Sequence, residues 1–290
     1  MGTKTMIERH YKETHMELVI KGINRFEKRI PRKINTIKNK NSGGVLGDSI
    51  QDALDAFADS VLAQLDHSKQ LRYLTLLKEF GTANFEFVMR VDETFPVTID
   101  GETFELTGAR KTDFIDTGHW EKAFYSAVIL RDRSAIHSLR EVDETVFLNA
   151  NLNCNSFDLA LVTIMQNLFA GGADMGNLLE KALLADDPDN DRLPYSYHIL
   201  LPLIALYRCI FTPDAEVEFN SEMRDAVGKH KVFWKKQNSQ NDEGWISLPL
   251  IAAAAFAYDR NGYRLDFETD YIPHWLVKGE FLPEITNKDK

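Results

Sequence analysis

Apolar residues recur at three- and four-residue spacing along most of this chain, the pattern of helices buried on one face. Leu18, Ile20, Ile23 and Phe26 stand at near-helical spacing among charges and predict a helix over 6–29. Pro31 is expected to end it, because proline removes a backbone donor and clashes with the preceding turn. The basic, Asn-rich stretch from Arg32 to Ser42, with Gly43-Gly44 after it, reads as a loop or hinge. Asp48 then has the makings of an N-cap, and Gln51 three residues on completes a capping-box pattern. Ile50, Leu54, Phe57, Val61, Leu62 and Leu65 form the stripe of that second helix. A third, starting near Ser68, carries Leu71, Leu74, Leu77 and Phe80 toward Phe87.

The period changes from helical to alternating between Phe95 and Thr107. Val97, Ile99, Phe104 and Leu106 flank Asp100-Gly101, a β-hairpin signal. One hairpin is not stable alone in water, so this one is expected to lie on the helical body or at an interface. Helical spacing returns from Thr117, with Trp120, Phe124, Ala127, Val128 and Arg131 on one face. A short helix is predicted over 134–142. Asn155 or Ser156 caps the next, with Leu161, Ile164, Met165, Leu168 and Phe169 inward and Gly171-Gly172 as its stop. A short helix over 177–184 leads to an acidic turn over 186–191. Pro194 suits the first turn of a helix reaching Phe211 that is apolar nearly all round, and Pro202 is expected to kink it. Thr212-Pro213 breaks the chain. The helix over 215–236 puts Val227, His230 and Trp234 on one side. Ser247 is placed to cap a last helix containing Ala252–Ala255, and Asn261-Gly262 supplies its left-handed stop.

These elements predict a mostly α fold: an irregular multi-helix array or bundle with one small β-hairpin. A single domain over 1–290 is expected, with an N-terminal helical part over 1–92, the hairpin over 94–108 and a helical core over 115–279. No fixed period marks a named repeat.

At 290 residues with 44% hydrophobic content, the chain can bury a core without a disulfide or metal. Its two cysteines, Cys154 and Cys209, adjoin apolar helix-like stretches and read as inert thiols in a reducing cytoplasm. No signal peptide is visible in residues 1–12. The longest apolar stretches, 199–211 and 246–258, fall short of the ~20 residues a spanning helix needs, so no membrane role is expected. Charge is uneven. Residues 1–45 hold 11 Lys/Arg against 4 Asp/Glu, a net of +7, whereas the remainder is at −17. An acidic body repels phosphates, which argues against nucleic acid, and steers a basic protein partner; solubility alone would explain it equally well. The basic N-terminal segment either covers an acidic patch of its own chain or forms a homodimer contact.

Motifs for chemistry are missing. No His-Glu-x-x-His, Gly-x-Ser-x-Gly, phosphate loop or dinucleotide fingerprint occurs, so no catalytic residue, metal or cofactor is assigned. His10 and His15 read as solvated surface groups and His230 as a core histidine. Asp187, Asp189 and Asp191 alternate like the first ligands of a calcium loop, but Arg192 stands where such a loop needs glycine and His198 where it needs glutamate.

The sequence becomes recognisable toward its C-terminus. Residues 244–262 read GWISLPLIAAAAFAYDRNG and residues 269–279 read TDYIPHWLVKG. The Ala-rich helix ending in Asp-Arg-x-Gly, followed by an Asp-Tyr-x-Pro-x-Trp-Leu tail, resembles the end of the immunity protein 49 family of bacterial polymorphic-toxin systems. Thr269 stands where that family has serine. Trp120 to Asp132, with its Trp-x-x-Ala and Arg-Asp, and His230, Lys231 and Trp234, also resemble the family, so the likeness spans about 115–279. The resemblance implies a helical immunity protein, not an enzyme, that binds and neutralises a cognate toxin in bacterial competition. It does not assign contact residues. Tyr271, Pro273 and Trp275 read as pins holding the tail to the body, and Asp259 and Arg260 as a pair or cap at a helix end. From charge alone, contact with a basic toxin surface is expected at Asp186, Asp187, Asp189 and Asp191, then at Asp242 and Glu243, then at Asp266, Glu268 and Asp270. The alternatives are a helical scaffold or adaptor without a toxin, and a helical enzyme with His230 and Glu222 as first suspects.

Overall fold

The computed structural model describes residues 5–11, 15–110, 113–150, 154–170, 173–185, 192–237 and 239–283. The chain is a mostly helical array with short strands, as its periodicity predicts. A two-residue strand β1 (Met6–Ile7) precedes three long helices, α1 (Met16–Lys40), α2 (Gly43–Leu62) and α3 (His67–Met89). These pack in sequence, joined by short loops. The hairpin β2 (Thr94–Ile99) and β3 (Glu102–Thr107) follows, then α4 (Thr117–Leu130), α5 (Arg133–Arg140), α6 (Glu144–Leu148), α7 (Ser156–Asn167) and α8 (Met175–Leu184). Next, α9 (Leu193–Tyr195) runs through a π turn (Ser196–Leu200) into α10 (Leu201–Ile210). The chain closes with α11 (Glu216–Gln237), a 3-10 turn (Asp242–Gly244), α12 (Leu248–Asn261), β4 (Glu268–Thr269) and α13 (His274–Val277).

The first helix departs from expectation at both ends. Residues 6–7 form β1, parallel to β4, and the helix begins only at Met16. Pro31 lies inside α1, and the expected hinge over 32–40 is helical. The apolar spacing explains this: Ile23, Phe26, Ile30, Ile34 and Ile37 are all buried and continue across the proline. A proline inside a helix costs about 3 kcal/mol. Burying Ile30, Ile34 and Ile37 contributes about 1.5–3 kcal/mol each, which outweighs it. Lys33 is buried too, and its ammonium donates to Asp48 at 2.6 Å and pairs with Asp52 at 2.8 Å. Asp48 is therefore a mid-helix partner of Lys33, not an N-cap, and α2 starts five residues earlier at Gly43.

Close backbone approach fixes two glycines. A Cβ on Gly47 would fall 2.5 Å from Phe114, and one on Gly81 would fall 2.4 Å from the Ala123 side chain, where α3 meets α4. The hairpin register pairs Thr94 with Thr107 and Ile99 with Glu102, and Asp100 and Gly101 both have positive φ, as a two-residue primed turn requires. Phe95, Val97, Ile99, Phe104 and Leu106 are buried, while Thr98 and Thr103 hydrogen-bond at 2.9 Å on the other face. Arg72 of α3 clamps the turn by donating to Asp100 at 2.9 Å and to Glu27 of α1 at 2.7 Å.

Four further local expectations need correction. A π turn, which the periodicity did not predict, directly precedes Pro202. Ser247 sits at the N-cap of α12, but its hydroxyl makes no cap bond; its N–H donates to the Tyr271 carbonyl at 3.0 Å. Asp259 accepts from Arg131 at 2.9 Å instead of pairing with Arg260, whose guanidinium lies over Phe211. His10 is half-buried and stacked on Tyr271, not solvated. Gly171-Gly172, the expected stop of α7, lie outside the described residues.

The tail is pinned much as its aromatic residues suggest. Tyr271 is fully buried, its hydroxyl accepting the His10 N–H at 2.7 Å. Trp275 stacks on His67, with ring centroids 4.1 Å apart. Arg131 secures the same region, donating to Leu276 O at 2.7 Å and Val277 O at 2.5 Å. Arg9 ties the N-terminal strand down by donating to Trp245 O and Asp270 O, both at 2.6 Å.

Candidate functional site

The expected contact residues fall in different surroundings. Asp186, Asp187, Asp189 and Asp191 lie outside the described residues. The chain on either side of them is apolar and exposed: Leu183 and Leu184 at the end of α8 are 59% and 78% exposed, and Leu193 and Tyr197 beyond are 45% and 55% exposed. Asp242 and Glu243 sit in the 3-10 turn, where the Asn241 side chain accepts the Glu243 N–H at 2.9 Å. Glu243 pairs with Lys122 of α4 at 2.7 Å, and Lys122 also donates to Gln51 of α2 at 2.7 Å. Asp266 is exposed and paired with Arg224 of α11. Glu268 lies in β4 with its carboxylate 3.5 Å from His274, and Asp270 accepts the Arg9 N–H at 2.9 Å. These last carboxylates therefore also take part in holding the tail.

Asp242 belongs to an acidic seam where the 3-10 turn meets α2. Asp55 and Asp59 stand one turn apart on α2, and Asp59 is buried. Burial pushes all three carboxyls up, Asp55 to about 6, Asp59 to about 8 and Asp242 to about 7, and neighbouring carboxylates add to it: Glu243 and Asp52 at Asp55, Asp242 and Asp55 at Asp59, Asp55 and Glu243 at Asp242. Like charges this close share protons instead of ionising together.

Beside that seam lies a cavity of about 100 Å³ between α4, the α9–π turn segment and α11. Glu121 and Tyr125 of α4, Tyr195 of α9, His230 and Trp234 of α11, and the Lys122–Glu243 pair contribute to its wall. Glu121 is 6% exposed and accepts no hydrogen bond among the described residues. Burial, and then the neighbouring Asp158, push its carboxyl up to about 8. Asp158 itself is held by Arg192, which donates from its second amine at 3.1 Å. Tyr125 Oη, Trp234 Nε1 and His230 Nδ1 are buried without a hydrogen-bond partner. The sequence reading missed Glu121 and Tyr125, because α4 places them on a face that also carries Trp120, Ala123 and Phe124, and nothing in spacing separates a cavity wall from a core contact. His230 was legible as buried.

Among the described residues, the two enzyme suspects, His230 and Glu222, have partners other than each other. His230 bonds the Gly244 carbonyl at 3.2 Å and packs edge-on to Tyr271, and burial pulls its pKa down to about 3. Glu222 instead lies 3.8 Å from Arg208. Cys209 is buried, Cys154 is half-buried, and burial raises both thiols. Among the described residues no group of His, Cys, Asp and Glu could hold a metal ion, and no helix is long and apolar enough to cross a membrane.

The fold thus defines a mostly helical protein with a net-acidic body and a small, largely apolar cavity with a few polar groups in its wall. The sequence model of the immunity protein 49 family matches residues 62–276, and the chain belongs to that family. The match covers most of the chain, taking in α3 and the hairpin as well as the stretch over 115–276. Membership implies an immunity protein function. No curated protein and no solved structure matches the chain.

Proposed function

We propose that this chain binds a cognate bacterial toxin in the cytoplasm and neutralises it by protein–protein contact, occluding or distorting the toxin's active site without turnover. The observation that carries the reading is family membership over 62–276. The net of −17 beyond residue 45 supports a toxin with a basic surface, since complementary charge accelerates association and disfavours wrong partners. The first contact in this reading is the acidic turn, Asp186, Asp187, Asp189 and Asp191. Its exposed neighbours Leu183, Leu184, Leu193 and Tyr197 suit an interface with an apolar centre and a charged rim. Asp242, Glu243, Asp266, Glu268 and Asp270 are secondary contacts, since each has intramolecular duties to give up or share.

The test is co-expression with the toxin encoded beside the gene, read as cell survival and as co-purification. The chain is expected to rescue growth and to co-elute. Reversing Asp187, Asp189 and Asp191 to Lys should slow association at least tenfold and abolish protection at native expression levels. Undiminished protection by that variant removes the acidic turn from the interface, and failure of the unaltered chain to bind or rescue refutes the function.

A further inference from the structure

Glu121 is costly to keep where it is. A buried carboxyl is destabilising by several kcal/mol unless it is closely paired or holds its proton. The neighbouring Asp158 shows how the array solves the same problem. Asp158 is 3% exposed and receives the Arg192 guanidinium, which also lies 5.9 Å from the Tyr195 ring centroid. Glu121 feels Arg192 and Lys122 as well, but less than it feels burial and Asp158. Tyr125, Tyr195, His230 and Trp234 also line the cavity, and among the described residues Tyr125 Oη and His230 Nδ1, which is free to accept because Nε2–H donates to Gly244 O, are buried and unpartnered. Buried polar atoms without partners are rare in folded proteins and call for a water, an ion or a ligand.

We infer that this cavity is a receptor for one guanidinium group, presented by an arginine of the protein that this chain neutralises. The inference rests on the function proposed above and adds the chemistry of one contact. The volume of about 100 Å³ lies far below that of a drug-sized pocket and suits the end of a single side chain. Charge selects a cation: Glu121 and Glu243 face the single ammonium of Lys122, which is already held by Glu243 and Gln51. Carboxylate plus aromatic face is the combination a planar guanidinium matches best. A guanidinium donates to the acceptors Tyr125 Oη and His230 Nδ1, whereas ordered water alone would not neutralise a carboxylate, so Glu121 would keep its proton. A bound guanidinium draws that proton off below about pH 8. Asp158, Asp116, Arg192 and Lys122, with Tyr125, Tyr195 and Tyr207, act on Glu121; Glu243 and His230 share the cavity wall with it; and among these only Arg192 and Lys122 are cations, since burial keeps His230 neutral.

The experiment titrates the full-length chain with L-argininamide at pH 7 by calorimetry in two buffers of different ionisation enthalpy, with norleucinamide as the uncharged-chain control. One site with proton release is expected for L-argininamide and none for norleucinamide. Glu121→Gln should weaken it at least tenfold while leaving the thermal melt in place. Trp234→Phe, which shrinks the aromatic surface offered to the cation, should weaken it as well and serves if the first variant does not fold. Toxin affinity should also fall at least tenfold in Glu121→Gln. Absence of an L-argininamide site, equal binding by both variants, or unchanged toxin affinity in Glu121→Gln each overturns the inference. Failure of the functional reading looks different: the unaltered chain would not bind the toxin at all, whatever it does with L-argininamide.

Discussion

Replacing Asp59 by asparagine should make the protein more stable, and increasingly so as pH rises. Asp59 is buried on α2, faces Asp55 and Asp242, and none of the groups acting on its charge is a cation. In the unfolded chain an aspartate ionises near pH 3.9. In the native protein Asp59 holds its proton to about pH 8. Between those values the native state binds more protons than the unfolded state, so stability falls with rising pH. The slope is about 1.4 kcal/mol per pH unit for one group, and the loss is complete once pH passes the folded value. Across pH 6 to 8 the wild type should therefore lose about 2 kcal/mol through Asp59. The amide introduced by Asp59→Asn matches the protonated carboxyl in shape and cannot ionise, so the variant escapes this loss. The assay is equilibrium urea unfolding of both proteins at pH 6, 7 and 8, compared at constant ionic strength. A stability difference that stays the same at pH 6 and pH 8 would refute the reasoning, as would a variant less stable than wild type at pH 8.

Three further outcomes follow from named contacts. Arg131→Met keeps the aliphatic packing but strands Asp259 and the carbonyls of Leu276 and Val277, so urea unfolding should show a loss of about 2–4 kcal/mol. Protection of the tail amides against hydrogen exchange should fall with it, and unchanged protection would show that other contacts hold the tail. Gly81→Ala puts a methyl 2.4 Å from the Ala123 side chain and should cost about 1–3 kcal/mol in thermal or urea unfolding, with Ala123→Gly in the same molecule restoring part of it. Lys33→Met should be tolerated poorly, losing about 1–3 kcal/mol, because Asp48 and Asp52 then lose the ammonium they share. A melt unchanged by that substitution would mean the two carboxylates are fully solvated.

Local periodicity was enough to read the helical class, the hairpin and the position of most helices, because each rests on residues close together in the chain. Asp100-Gly101 needs only its own backbone conformation to turn the chain, and Gly262 only its own φ of 74° to stop α12. Family likeness was also legible in the tail, from the residue types and spacing around Tyr271 and Trp275, although the partners that hold them, His10 and His67, come from the N-terminal part of the chain. The balances between distant parts were not legible, and packing settled them. Pro31 is tolerated because Ile30 before it and Ile34 and Ile37 beyond it are buried in the same core. Residues 6–7 become a strand because β4, 262 residues further on, offers an edge. Asp48 turns from cap to salt-bridge partner because Lys33 comes within 2.6 Å. Glu121, ordinary in sequence, becomes a buried carboxyl facing a cavity. Local propensities are worth tenths to a few kcal/mol, and burial of a few side chains exceeds them, so the deciding influence was the neighbour that folding brought near.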